Sequence, residues 1–105
     1  MIEFFFYNNL KNEELIKKIN QQYMIQDSYI YVKDYQNNNI MIDTNHNDNK
    51  QKITGKYVCF LNITFDEILK KINELNIGTK EKYHIHQTYC YLENNDEQKY
   101  VYLII

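Results

Sequence analysis

Ile2-Glu3-Phe4-Phe5-Phe6, followed at once by Tyr7-Asn8-Asn9-Leu10, decides the reading of this chain. Residues 2–7 read as a buried strand, aromatic and continuous apart from Glu3. Two small amides then stop it. Asn12 follows as an N-cap, with Glu13 and Glu14 in the first turn, where the helix dipole favours acids. A buried strand that gives way to a helix over so few residues gathers backbone N–H groups and amide side chains at one spot. An anionic ligand is readily held in such a place.

Outward from that point the chain alternates cleanly. Leu15, Ile16 and Ile19 form a short apolar stripe, which predicts a helix over 12–20. Residues 22–33 are rich in strand formers, with Tyr23, Ile25, Tyr29, Ile30, Tyr31 and Val32. The Asn37-Asn38 pair supplies a turn before a short strand over 39–43. Residues 44–51 are polar and read as an exposed loop. Ile53 to Leu61 is a strand. Thr64-Phe65-Asp66-Glu67 is a capping box, after which Ile68, Leu69, Ile72 and Leu75 fall on one helical face. Gly78 is placed to end that helix. Strands over 82–92 and 97–105 are joined by the turn Glu93-Asn94-Asn95-Asp96.

The predicted order is strand, helix, three strands, helix, two strands. Most links are short, so antiparallel neighbours dominate. The expected fold is α+β: a small mixed, mainly antiparallel curved sheet or barrel with two helices, not a doubly wound parallel sheet. At 105 residues the chain is expected to form one domain over 1–105, without repeats.

Composition narrows the function classes. The chain has no Pro or Trp and 11 tyrosines, and all 12 of its basic residues are lysines. Lys, Asn, Ile and Tyr are overused together; their codons are AT-rich, so the bias reflects the genome first. The net charge of −2 and the interspersed lysines provide no basic stripe. Without guanidinium groups there is no bidentate grip on bases or phosphates, and no nucleic-acid partner is expected. The start resembles no signal peptide and no segment has the length of a membrane span, so the expectation is a cytoplasmic protein without a membrane partner. Cys59 and Cys90 are then expected reduced and buried. Asn62-Ile63-Thr64 matches a glycosylation sequon that such a protein leaves unused. His84 and His86 share one face of a strand with Cys90, which opens a metal-binding alternative. A third histidine exists only at His46 in the polar loop, so neither a metal nor another cofactor is expected.

In order and spacing, nearly the whole chain resembles the γ-glutamylcyclotransferase-like superfamily. Its members open with a strand leading into a Tyr-Gly-Ser/Thr-x-Leu loop, and Tyr7-Asn8-Asn9-Leu10 is similar. Ile53-Thr54-Gly55-Lys56-Tyr57-Val58 matches the central Val-x-Gly-x-hydrophobic-Tyr type of strand. The family's second helix ends Leu-Asp-x-x-Glu-Gly, before a Tyr-x-Arg strand; here those read Ile72-Asn73-Glu74-Leu75-Asn76-Ile77 and Tyr83-His84-Ile85. The resemblance implies cyclisation of γ-glutamyl amines to 5-oxoproline. Loop 7–10 would hold the glutamyl carboxylate, and a glutamate at the end of the second helix would take a proton from the attacking α-amine.

The chain departs from the family where that chemistry happens. Asn76 stands at the glutamate position, and an amide is no general base. Asn73 replaces the accompanying acid, and Ile85 stands where the arginine would be. Glu74 lies two residues from Asn76, roughly 200° around a helix. Asn8 replaces the loop glycine, although Asn tolerates left-handed angles better than most residues. The expected ligand site is Tyr7, Asn8, Asn9, Leu10, Asn73, Asn76 and Tyr83, with no catalytic residue assigned. It would take a small γ-glutamyl, amide or amino-acid-like ligand with little or no turnover. Two alternatives stay open: a protein-interaction module, including a homodimer, on a tyrosine-rich surface, and an active γ-glutamylamine cyclotransferase with a carboxylate from elsewhere. All readings that use the pocket require the opening strand and the second helix to finish beside one cleft.

Overall fold

The opening strand β1 (Ile2–Phe6) is buried on both faces because its side chains serve two different cores. Phe5 points into a barrel, among Ile30, Val32, Tyr57, Cys59 and Leu103. Phe4 and Phe6 point outward beneath two helices, against Phe60, Ile16, Ile68 and Ile72. Period-two alternation of side chains places neighbours on opposite faces, so the apolar run Phe4-Phe5-Phe6 needs a cover on each side.

The computed structural model describes residues 1–36, 39–43, 45, 47–75 and 84–105. After β1 come a 3-10 turn (Asn9–Lys11), helix α1 (Glu13–Ile19), β2 (Tyr23–Val32), β3 (Asp34–Gln36) and β4 (Asn39–Met41). Then follow β5 (Gln51–Phe60), α2 (Phe65–Glu74), β6 (Ile85–Leu92) and β7 (Gln98–Ile104). Five strands close a barrel in the order β1-β5-β2-β6-β7. Their pairings are antiparallel except the seam, where β1 runs parallel to β7 with Phe4 opposite Tyr102 and Phe5 opposite Leu103. The α+β reading, with a mixed, mainly antiparallel barrel and two helices, is therefore the observed architecture.

The caps form as the residue types dictate. Asn12 Oδ1 accepts from the Glu14 N–H at 3.0 Å and starts α1. Thr64 Oγ1 accepts from the Glu67 N–H at 3.2 Å, while Glu67 Oε2 accepts from the Thr64 N–H at 3.4 Å, which completes the capping box of α2. The turn between β6 and β7 needs a left-handed residue, supplied by Asp96 at φ 56°.

Two details differ from the sequence reading. Four strands, not three, separate the helices, because Asp34–Gln36 pairs with Asn39–Met41 as a separate two-stranded sheet. The strand expected over 39–43 stops at Met41. There Asp43 folds back, its carboxylate accepting from the N–H groups of Asn45, Asn47 and Asp48, and those bonds hold its carboxyl below the usual range. The turn at Asn37-Asn38 and the helix stop at Gly78 lie outside the described residues.

Candidate functional site

Where β1 ends, the chain opens a cleft of about 1060 Å³ beside Tyr7 of the barrel's core and Tyr35, which packs against that core. Tyr7, Asn8 and Asn9 form one wall and Leu75, the residue after α2, contributes to the same cleft. The opening strand and the second helix thus finish beside a common cavity.

Tyr7 is the fixed point. Its hydroxyl donates to the carbonyl of Ile104 at 3.0 Å, tying the end of β1 to the last residue of β7. The ring stacks along Phe5 and meets Tyr35 edge-on at 6.0 Å. Burial, and then the neighbouring Tyr35 hydroxyl, push the Tyr7 phenol up to about 12. It stays protonated near neutrality and serves as a hydrogen-bond donor.

Asn8 caps the 3-10 turn: its Oδ1 accepts from the Leu10 N–H at 3.1 Å, and its carbonyl accepts from Lys11 at 3.0 Å. Its φ is −107°, so the loop forms without the left-handed angle that the family glycine suggested. The cost of an Asn at this position is occupancy, not strain, because its side chain consumes one of the loop's N–H groups. Among the described residues, the backbone N–H groups of Asn8 and Asn9 have no backbone acceptor, and both residues line the cleft.

Gly55 sets the spacing of the opposite wall. It pairs with Ser28 on β2, and a β-carbon there would stand 2.3 Å from the Phe6 carbonyl oxygen. A glycine alone lets β1 and β5 approach this closely just before the loop. Next to it, Lys56 forms an ion pair with Asp27 across the strands. Lys11, Asn12, Leu15, Tyr35, Thr54 and Glu93 complete the lining.

The remaining expected site residues are distributed differently. Leu10 turns its side chain into the core beneath the helices, with 3 % exposure, and does not line the cleft. Asn73 lies on the exposed side of α2, because Ile72 takes the buried face and the next residue points about 100° away. Asn76 and Tyr83 lie outside the described residues. The sequence reading missed Asp27, Tyr35, Lys56 and Glu93 as cleft residues. Gly55, already part of the family-like strand motif, carries a local signal as an isolated glycine inside a strand pattern, whereas Asp27, Tyr35 and Glu93 carry none.

Two other expectations can be located. Cys59 and Cys90 are buried free thiols, and burial pushes Cys90 up to about 12 despite the adjacent Ser28 hydroxyl. Among the described residues no group of three or more His, Cys, Asp or Glu side chains is arranged to hold a metal ion. His46 lies outside those residues. No helix among the described residues is long and apolar enough to cross a membrane.

No family model matches the chain, and no curated protein matches it. Among solved structures it is similar to the solution structure of At5g39720.1 from Arabidopsis thaliana, with a TM-score of 0.62 at 16% sequence identity. The match covers 99% of this chain and 67% of that one, so the two share a fold through the whole of the present sequence.

Proposed function

We propose that this chain is a divergent γ-glutamylcyclotransferase-like protein that binds a small amide- or amino-acid-like ligand in the cleft beside Tyr7, Asn8 and Asn9. The observation that carries the reading is that this loop and Leu75, the residue just before Asn76, line one cavity. A γ-glutamyl compound needs donors for its α-carboxylate and an enclosed wall for its amide. The N–H groups of Asn8 and Asn9 and the Tyr7–Tyr35 wall supply groups of those kinds.

Turnover is slow or absent in this reading. Cyclisation joins the substrate's α-amine nitrogen to its γ-carbonyl carbon and breaks the γ-amide bond. The proton leaving the α-amine must reach the departing amine nitrogen. A positioned carboxylate carries that proton in the family, and its loss costs about 10²–10⁴-fold in rate. Asn76 cannot replace it. The two buried, unpaired thiols fit a reducing compartment, and we assign the protein to the cytoplasm.

The test is a γ-glutamyl dipeptide presented to the intact chain and to Asn76→Glu. The native chain is expected to gain thermal stability with the dipeptide while releasing little 5-oxoproline. Asn76→Glu is expected to raise release by about 10²-fold or more. If neither protein is stabilised and the glutamate brings no release, the reading fails.

A second reading rests on the outer sheet face. Tyr89 and Tyr100 are about half exposed, with ring centroids 4.9 Å apart, and Tyr31 is exposed nearby on β2. An aromatic face of this kind suits a protein partner, including a second copy of the chain. The open cleft favours the ligand reading over this one.

A further inference from the structure

The last hairpin places Tyr89 of β6 directly opposite Tyr100 of β7. Their rings meet on the outer face of the sheet, with centroids 4.9 Å apart and planes tilted by 52°. Residues directly opposite across paired strands have β-carbons about 5 Å apart, so strand register itself sets this contact. The two residues are 47% and 50% exposed. Neither hydroxyl has a hydrogen-bond partner among the described residues.

The other tyrosine contacts differ in ways that matter chemically. Tyr7 and Tyr35 meet at 6.0 Å, but Tyr7 is buried and its hydroxyl donates to the Ile104 carbonyl. Tyr29 stacks on Tyr91 at 5.3 Å, but Tyr29 is buried and its hydroxyl donates to Asp96 at 2.6 Å. Tyr31 meets Tyr29 and Tyr91 nearly edge-on, at 5.8 and 6.0 Å. The Tyr91 hydroxyl accepts from Gln98. Among the described residues, Tyr89 and Tyr100 alone combine close ring contact with two accessible, unbonded phenols.

Two accessible phenols in contact are the starting arrangement for a biphenol. We propose that Tyr89 and Tyr100 form a site of oxidative cross-linking within one molecule. A peroxidase-type one-electron oxidant removes an electron from each phenol, and each hydroxyl proton leaves to water. The resulting phenoxyl radicals carry spin on the ring carbons beside the oxygen. One Cε of Tyr89 bonds to one Cε of Tyr100. The hydrogen on each of those carbons then leaves as a proton, and a proton returns to each oxygen. Two hydrogen atoms are lost in all, and one hydrogen peroxide is reduced to two waters. The new bond spans strands that are already paired, so the backbone has no need to move. It also locks the register of the last hairpin. The site uses no cleft residue and is independent of the ligand reading.

Dilute folded protein treated with a peroxidase and limiting hydrogen peroxide tests this. The expected product is a monomer with biphenol fluorescence. Digestion should then yield joined peptides that hold Tyr89 and Tyr100 and are lighter by two hydrogen atoms. Tyr89→Phe and Tyr100→Phe, with folds checked by circular dichroism, should lose that product, and Tyr31→Phe should keep it. In concentrated urea, where register is lost, the share of this pair among all cross-links should fall. Biphenol formed only between molecules, a monomer product mapped to another pair, a product that survives Tyr100→Phe or an unchanged share in urea overturns the proposal. So does the absence of biphenol under conditions that couple N-acetyltyrosine.

Discussion

A β-carbon on residue 55 would lie 2.3 Å from the Phe6 carbonyl oxygen and 2.7 Å from Cζ of Phe5. The ring could swing aside, but the carbonyl belongs to the β1 backbone and moves only with the strand. Gly55→Ala is therefore expected to destabilise the fold by about 1–3 kcal/mol, the range for overpacking a filled site. Urea unfolding of the variant checks this. Because Phe6 precedes the Tyr7 loop, the same substitution should also weaken ligand binding. At this scale the sequence is readable only where a residue breaks its local pattern. Gly55 interrupts a strand and Asn8-Asn9 interrupts an aromatic run, so both draw notice. Asp27 and Glu93 look like any other acids among polar neighbours. Nothing in their flanking residues tells that they meet, since the bond between Glu93 and Asp27 spans strands far apart in the chain.

Helix α2 starts where Thr64 and Glu67 exchange their hydrogen bonds, and it buries Ile68 and Ile72 on the barrel. Both features were legible, because caps and apolar spacing are properties of four to eight consecutive residues. Thr64→Ala removes the acceptor for the Glu67 N–H and is expected to cost about 1 kcal/mol, read as a lower midpoint in denaturant without loss of helical signal. Loss much beyond that would mean that Thr64 does more than cap. The long strands were legible for the same reason as α2. The strand β3 was not, because three residues carry too little pattern; its extended form follows from pairing with Asn39–Met41 across the turn. The early end of β4 was likewise invisible, since it depends on Asp43 collecting three N–H groups from the loop beyond it.

The barrel closes at its seam, where the first strand lies parallel to the last. Tyr7 reinforces that seam through its bond to Ile104, 97 residues away in sequence. The phenol's ordinary value of 10.0 rises to about 12 in the fold, so the unfolded chain releases this proton first. The group's contribution to stability is complete below pH 10 and is lost as pH rises from about 10 to 12. Urea unfolding across that window should show a falling midpoint, with a shallower fall in Tyr7→Phe; parallel slopes in the two proteins would remove Tyr7 from the account. Read alone, the sequence determined the helices, the long strands, both helix caps, the curved antiparallel character of the sheet and the burial of β1. Each of these follows from residues close together in the chain, whose periodicity and hydrogen-bonding chemistry act locally. Tertiary structure alone decided the parallel seam, the separate hairpin, the inward turn of Leu10 and the meeting of Tyr7, Tyr35, Asp27, Lys56 and Glu93 around one cleft. Those outcomes depend on strand register and on which outer face the helices cover, and both are set by packing the whole chain at once.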